Sequence, residues 1–175
     1  MQSVTFLIIA ICIGICAYIN TSNDKFYASI KAGALYPPKV KSGEYWRLIA
    51  SGFVHINLYH LLVNVYALYN MRWLEGYLGS FRYTLVLLAA ILVGSLVTYK
   101  FGRKNAVTVG ISGGIYGLMA IYIVLLLKIP YIQLSDIIQM FLPTILVNFM
   151  PNISVTGHLG GFVAGIIMAL ILGII

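Results

Sequence analysis

The sequence predicts an all-α polytopic membrane protein: six transmembrane helices with a long first loop resting in the membrane interface. Of its 175 residues, 61% are hydrophobic and only 9% are charged, whereas soluble domains carry about a quarter of their residues as charges. Mean hydropathy is +0.98. The charges also cluster, leaving uncharged stretches at 1–23, 48–71, 83–99, 105–127 and 137–175. A spanning helix needs about 20 apolar residues, so the first four stretches predict one span each. The last is too long for one span and is broken at Asn148-Phe-Met-Pro151-Asn152, so it predicts two. The spans fill the chain as a single domain, 1–175, with no room for a soluble domain and no repeat.

The first span covers roughly 2–19. It lacks the basic leading region and small-residue cleavage site of a signal peptide, so it is read as a helix. Cys12 and Cys16, four apart on it, are read as buried small hydrophobes and do not reveal a redox compartment. A connection of about 20–50 follows, with Pro37-Pro38, Gly43 and four lysines. Phe26, Tyr27, Leu35, Tyr36, Tyr45 and Trp46 make it too aromatic for a free linker, and tyrosine and tryptophan favour the membrane interface. Helices two to six are predicted at about 53–73, 83–100, 112–128, 132–148 and 155–174. Helices two, four and six then cross in the same direction. His60 and Asn64 lie early in helix two, Ser112 opens helix four and His158 lies early in helix six. All four polar residues therefore fall toward one side, at comparable depth.

Polar groups at membrane depth are costly and mark function by default. Ser112 sits in Gly110-Ile-Ser112-Gly113-Gly114. A membrane serine commonly returns its hydroxyl to a backbone carbonyl, but these glycines clear its surroundings for a substrate backbone. Ser112 also opens a helix, where free N–H groups and the positive dipole end can stabilise an oxyanion. The string formally matches the G-x-S-x-G elbow, yet that motif needs a strand and a soluble α/β sheet, which the sequence does not predict. Of the three histidines, His158 in Gly157-His158-Leu-Gly-Gly161-Phe-Val-Ala-Gly165 is the best candidate base; a structural histidine is the alternative. Asp24, Glu44, Glu75 and Asp136 all lie away from this pair in sequence, which predicts a Ser–His pair with no third member.

His60 and Asn64, spaced i, i+4, share a face of helix two. Interhelical hydrogen bonding and oxyanion stabilisation with the Ser112 N–H both account for them. His55 is read as structural or water-ordering. Tyr116, one turn after Ser112, either stacks on the His158 ring or is simple core. Trp46-Arg47 predicts a pin for the loop, with Arg47 bonding loop carbonyls and Trp46 anchored in headgroups. Glu75, near Arg72 and Arg82, reads as a structural hydrogen-bond or ion partner. Gly157, Gly161, Gly165, Ala169 and Gly173 place a small residue every fourth position on helix six, and Gly113 and Gly117 offer a matching surface on helix four.

Taken together, these residues resemble the rhomboid family of intramembrane serine proteases through nearly the whole chain. Trp46-Arg47 is similar to the family's W-R, and His55 with His60-Leu-Leu-Val-Asn64 to its H-x-x-x-x-H-x-x-x-N. Gly110-Ile-Ser112-Gly113 with the following Tyr116 is similar to G-x-S-G and its tyrosine, and His158 through Gly161 and Gly165 to H-x-x-G-x-x-x-G. Gly157 stands where the family frequently has alanine. The resemblance implies a rhomboid-like bundle in which Ser112 is nucleophile and His158 general base. It implies His60, Asn64 and the Ser112 N–H as oxyanion stabilisers, and cleavage of single-pass membrane proteins without metal or cofactor. Inactive relatives typically lack the serine or the histidine, and both are present here.

The expected partners are transmembrane protein substrates and membrane lipids. The net charge of +7 sits in the connections, as expected of residues flanking spans, so nucleic acid is not expected. A non-catalytic scaffold that binds client helices is the second reading. A proton-relaying transporter would need intramembrane carboxylates or inverted repeats, and the sequence has neither. From a cytoplasmic N-terminus, the positive-inside rule puts the Ser112 side in the cytoplasm, because Lys25, Lys31, Lys39, Lys41, Arg47, Lys100, Arg103 and Lys104 outnumber Arg72, Arg82 and Lys128. The family resemblance implies an opening to the extracytoplasmic side of the cell membrane. That orientation is the one expected, since a first loop folded into the interface does not count as a simple translocated loop.

Overall fold

Glu75 shows how polar residues organise this apolar chain. In the computed structural model its carboxylate is buried and accepts from Val4 N (3.0 Å), Thr5 N (2.9 Å), Thr5 Oγ1 (2.8 Å) and Ser80 Oγ (2.7 Å). The first three are donors at the start of α1 (Ser3–Asn20), where free N–H groups and the positive dipole end favour an anion. Glu75 is thus a hydrogen-bond acceptor for another helix. The two ion pairs found among the described residues, Lys39–Glu44 and Arg47–Glu44, do not involve it. The structure describes residues 3–131, 133–136, 138, 139, 142, 148 and 153–174. Among these the fold is all-helical, with one isolated antiparallel bridge between Leu35 and Thr108.

The first connection contains more helix than its proline and glycine content suggests. It holds α2 (Lys25–Lys31), α3 (Pro37–Lys41) and α4 (Arg47–Ala50), the last running into a 3-10 turn at Ser51–Phe53. Asp24 caps α2 by accepting from Tyr27 N, and the prolines of α3 occupy its first turn, where no amide donor is required. Arg47 is buried and closes the loop, donating to Ile30 O (2.5 Å), Ala34 O (3.2 Å) and Glu44 Oε2 (2.9 and 2.5 Å). Its guanidinium lies 4.6 Å from the Trp46 ring centroid. That ring packs over Gly33, where φ is +107° and a Cβ would lie 2.6 Å from it. Leu35, Val40 and Leu48 then dock the loop on Leu92 and Tyr99.

The second predicted span, about 53–73, is corrected. Its helix α5 runs Leu58–Met71 and meets α4 and the 3-10 turn at a bend of 91°. Asn57 causes the break: its side chain accepts from Tyr59 N (2.7 Å) and His60 N (3.4 Å), an N-cap that starts a new helix. Freedom from charge marked the stretch as apolar but could not reveal the cap. A short α6 (Trp73–Leu78) follows, then α7 (Ser80–Phe101), α8 (Ser112–Leu127) and α9 (Val155–Ile171). Ser154 caps α9 by accepting from Gly157 N (3.2 Å). The fifth predicted span, 132–148, lies for the most part outside the described residues.

By length and composition α1 and α7 can each cross a membrane, and the bent pair Arg47–Phe53 with Leu58–Met71 can form a third crossing. α8 and α9 are apolar but have only 16 and 17 residues. The chain is a multi-pass membrane protein. α9 packs chiefly against α7 and α8. A Cβ on Gly161 would collide with the Gly113 carbonyl, and one on Gly165 with the Gly117 carbonyl. Toward α7, a Cβ on Gly160 would lie 2.9 Å from Gly94 Cα, and one on Gly94 would lie 2.6 Å from the Gly157 carbonyl oxygen. The predicted α8–α9 seam is therefore one of two, and the one on α7 was not anticipated.

Candidate active site

Ser112 is the first residue of α8, so its N–H has no acceptor within the helix. Gly110, two residues earlier, has φ +114° and donates its N–H to Ser51 O (3.0 Å). Only glycine adopts that conformation without strain, and a Cβ there would lie 2.6 Å from His60 Cε1 and 3.4 Å from Asn64 Nδ2. The loop thus lays bare backbone beside both residues. His158 sits one turn into α9, 4% exposed, and its Nε2 is 2.8 Å from Ser112 Oγ. The hydroxyl hydrogen is directed at the ring nitrogen when Nε2 carries the lone pair. Two seams of glycine backbone make this reach possible for such short side chains.

The far side of the imidazole is occupied as well. Asn148 Oδ1 lies 2.6 Å from His158 Nδ1, and Asn148 Nδ2 donates to Tyr116 Oη (2.7 Å). The Tyr116 ring in turn stacks on His158, with centroids 4.2 Å apart and planes within 9°. The expected Ser–His pair without a third member weighed carboxylates alone; the neighbour of Nδ1 here is an amide. Sequence reasoning treated Asn148 as a helix break. The available signal was an asparagine in an apolar run, which at membrane depth demands a partner.

His60 and Asn64 face the Gly110 turn from α5. Asn64 is buried and its Nδ2 lies 2.9 Å from His55 Nε2, while the His55 and His60 rings meet edge-on at 5.3 Å. His55 is fully buried and does not line the cavity that opens on Ser112. Trp46 and Arg47 lie in the first loop, outside the site, and Gly161 and Gly165 lie on the α8–α9 seam. A cavity of about 410 Å³ opens on Ser112, His158, His60, Gly110 and Gly113. Its wall includes paired hydroxyls: Ser51 with Ser95 (3.3 Å), and Thr98 with Ser154 and Thr156 (3.1 Å each). Among the described residues no cluster of three or more histidine, cysteine, aspartate or glutamate side chains could hold a metal ion. In the first loop, outside the spans, Glu44 is held below the usual carboxylate range by hydrogen bonds from Arg47 and Lys39.

Fold and site define a multi-pass helical membrane protein that brings a serine and a histidine into hydrogen-bond contact at two helix starts. Residues 42–174 match the family model of the rhomboid domain, and the chain belongs to the Rhomboid family. It is 30% identical over 170 residues to Rhomboid protease GluP of Bacillus subtilis (strain 168), covering 89% of this chain and 32% of that protein. It is 32% identical over 136 residues to the putative rhomboid protease YdcA of the same organism, covering 74% and 68%. Rhomboid-like protease 1 of Toxoplasma gondii is 30% identical over 143 residues, covering 76% and 49%. The chain thus spans a third to a half of the length of two of these relatives and about two thirds of the other.

Proposed function

We propose that this protein is an intramembrane serine endopeptidase that hydrolyses peptide bonds in or near the transmembrane segments of single-pass membrane proteins. The carrying observation is the 2.8 Å contact between Ser112 Oγ and His158 Nε2, within the range that lets a base activate a nucleophile. Ser112 Oγ attacks the scissile carbonyl as His158 Nε2 takes its proton. The tetrahedral oxyanion is stabilised by the Ser112 N–H with His60 and Asn64 across the Gly110 turn. His158 returns the proton to the leaving amine, forming an acyl-enzyme. A water then attacks the ester while His158 again acts as base, releasing the acid and restoring Ser112. The hydroxyl-lined cavity suits the water this step consumes, since buried water needs several polar partners.

The reading extends to the membrane frame: one domain over 1–175, six spans, and a site opening to the extracytoplasmic side. The short α8 bears on one part of this frame, the depth of Ser112. At 1.5 Å per residue its 16 residues rise about 24 Å, less than the roughly 30 Å of a hydrocarbon core. If α8 ends at one face, a helix that short starts several ångströms below the other, which supports a Ser112 inside the bilayer with its loop dipping to meet it.

The test is cleavage of a model single-pass substrate in proteoliposomes by wild type, Ser112→Ala and His158→Ala. Wild type turns over and is labelled by a fluorophosphonate, and each variant is inactive while still folded, since members of a coupled set cannot act alone. Appreciable turnover by either purified variant refutes the mechanism.

A further inference from the structure

We infer that Asn148 is a third member of the reacting set, a positioning residue that fixes the tautomer and plane of the His158 ring. The inference rests on the hydrolase reading above. For Nε2 to accept the Ser112 proton, the neutral ring must carry its hydrogen on Nδ1. Asn148 Oδ1, 2.6 Å from Nδ1, is an acceptor and selects that tautomer. The amide is itself held in orientation: Nδ2 donates to Tyr116 Oη, so the oxygen faces the histidine. Tyr116 then braces the same ring by stacking on its face. Ser112, His158, Asn148 and Tyr116 form a closed circuit in which the imidazole is fixed at one edge and one face.

The choice of an amide follows from the surroundings. A carboxylate at that place would need to be ionised in a part-buried site within an apolar helix bundle, which is costly unless paired. A neutral amide supplies the same acceptor at lower desolvation cost. It also cannot take up the second proton, so when Nε2 receives the serine proton the charge stays on the ring and the Nδ1–H bond to Oδ1 strengthens. The same logic operates where cysteine proteases use Cys-His-Asn.

Two measurements test this. The first is ¹⁵N NMR of histidine-labelled wild type near neutral pH, with His158 assigned by its loss in His158→Ala. A ring protonated on Nδ1 is expected; the Nε2–H tautomer overturns the inference. The second is steady-state cleavage in proteoliposomes by Asn148→Ala, Asn148→Asp and Tyr116→Phe. Asn148→Ala is expected to lower kcat by roughly a hundredfold with KM nearly unchanged, the scale of losing ring orientation. Asn148→Asp keeps the acceptor oxygen, and its charge is paired by the imidazolium that forms, so it recovers much of that loss despite the desolvation cost. Tyr116→Phe, which keeps the stack, loses only a few-fold. Wild-type kcat in Asn148→Ala, a loss confined to KM, or equal losses in Ala and Asp overturn it. If Asn148→Ala does not fold, the wild-type spectrum decides. Failure of wild type itself to cleave counts against the hydrolase reading, so the two outcomes are distinct.

Discussion

On the proposed hydrolase reading, a single added methyl group on the α8–α9 seam is expected to abolish most of the activity without touching a reacting atom. A Cβ at Gly161 would sit on the Gly113 carbonyl, 2.8 Å from its carbon and 3.0 Å from Gly113 Cα. Ordinary contact begins near 3.4 Å, so these backbones must part by roughly half an ångström or more. Gly160 and Gly157 also pack directly on Gly94 of α7, so α9 cannot slide toward α7 to relieve the clash. Gly113 directly follows Ser112 and Gly161 lies one turn after His158, so the displacement falls on the reacting pair. A 2.8 Å hydrogen bond stretched by that amount leaves the effective range of roughly 2.6–3.2 Å. A misplacement of about 1 Å costs on the order of a hundredfold. We therefore expect Gly161→Ala to lose roughly a hundredfold in kcat/KM, and Gly161→Val at least as much. Gly14→Ala, on α1 with nothing within 4 Å of the new methyl, should be neutral. The assay is initial-rate cleavage in proteoliposomes, with thermal unfolding in detergent to show that both proteins are folded. Wild-type rates for Gly161→Ala, or equal losses in both variants, would refute the claim that the glycine seam positions the pair.

Gly110→Ala meets two obstacles, a φ of +114° and a Cβ 2.6 Å from His60 Cε1. It is expected to lower kcat by at least tenfold, read from the same cleavage assay; full activity would mean that the turn does not set the oxyanion donors. Glu75→Ala removes the acceptor for Val4 N, Thr5 N and Thr5 Oγ1. Leaving buried donors unmet should cost about 3 kcal/mol of stability, measured by reversible denaturation in mixed micelles. Because Glu75 does not line the cavity that opens on Ser112 and His158, the kcat of the folded fraction should stay within about twofold of wild type. An unchanged unfolding free energy would show that α1 is held by packing alone.

What was readable in the sequence follows from the solvent. In a bilayer each polar side chain must have a reason, so Ser112, His158, His60 and Asn64 stood out from an apolar background before any geometry was known. Glycine periodicity similarly exposed the α8–α9 seam, because close backbone approach is a principal way to pack helices in lipid. The helical content of the first loop was hidden, since its short helices are set by caps and by Arg47 reaching Ile30 and Ala34 far along the chain. Charge-free stretches also hid the Asn57 break, because hydropathy averages over the residues that start a helix.

Asn148 marks the limit of reading by residue type. Acids are the third partner familiar from water-exposed clefts, and none of the four lies within a predicted helix near Ser112 or His158. Desolvation argues the other way: in hydrocarbon the inexpensive acceptor is an amide, and the right question is which neutral polar groups share the depth of the histidine. Asn148 satisfies that criterion from composition alone. What composition cannot give is the direction of the amide, which depends on Tyr116 returning from α8 to take its N–H. A tyrosine one helical turn after the serine thereby touches the histidine twice, once with its ring and once through the asparagine it holds.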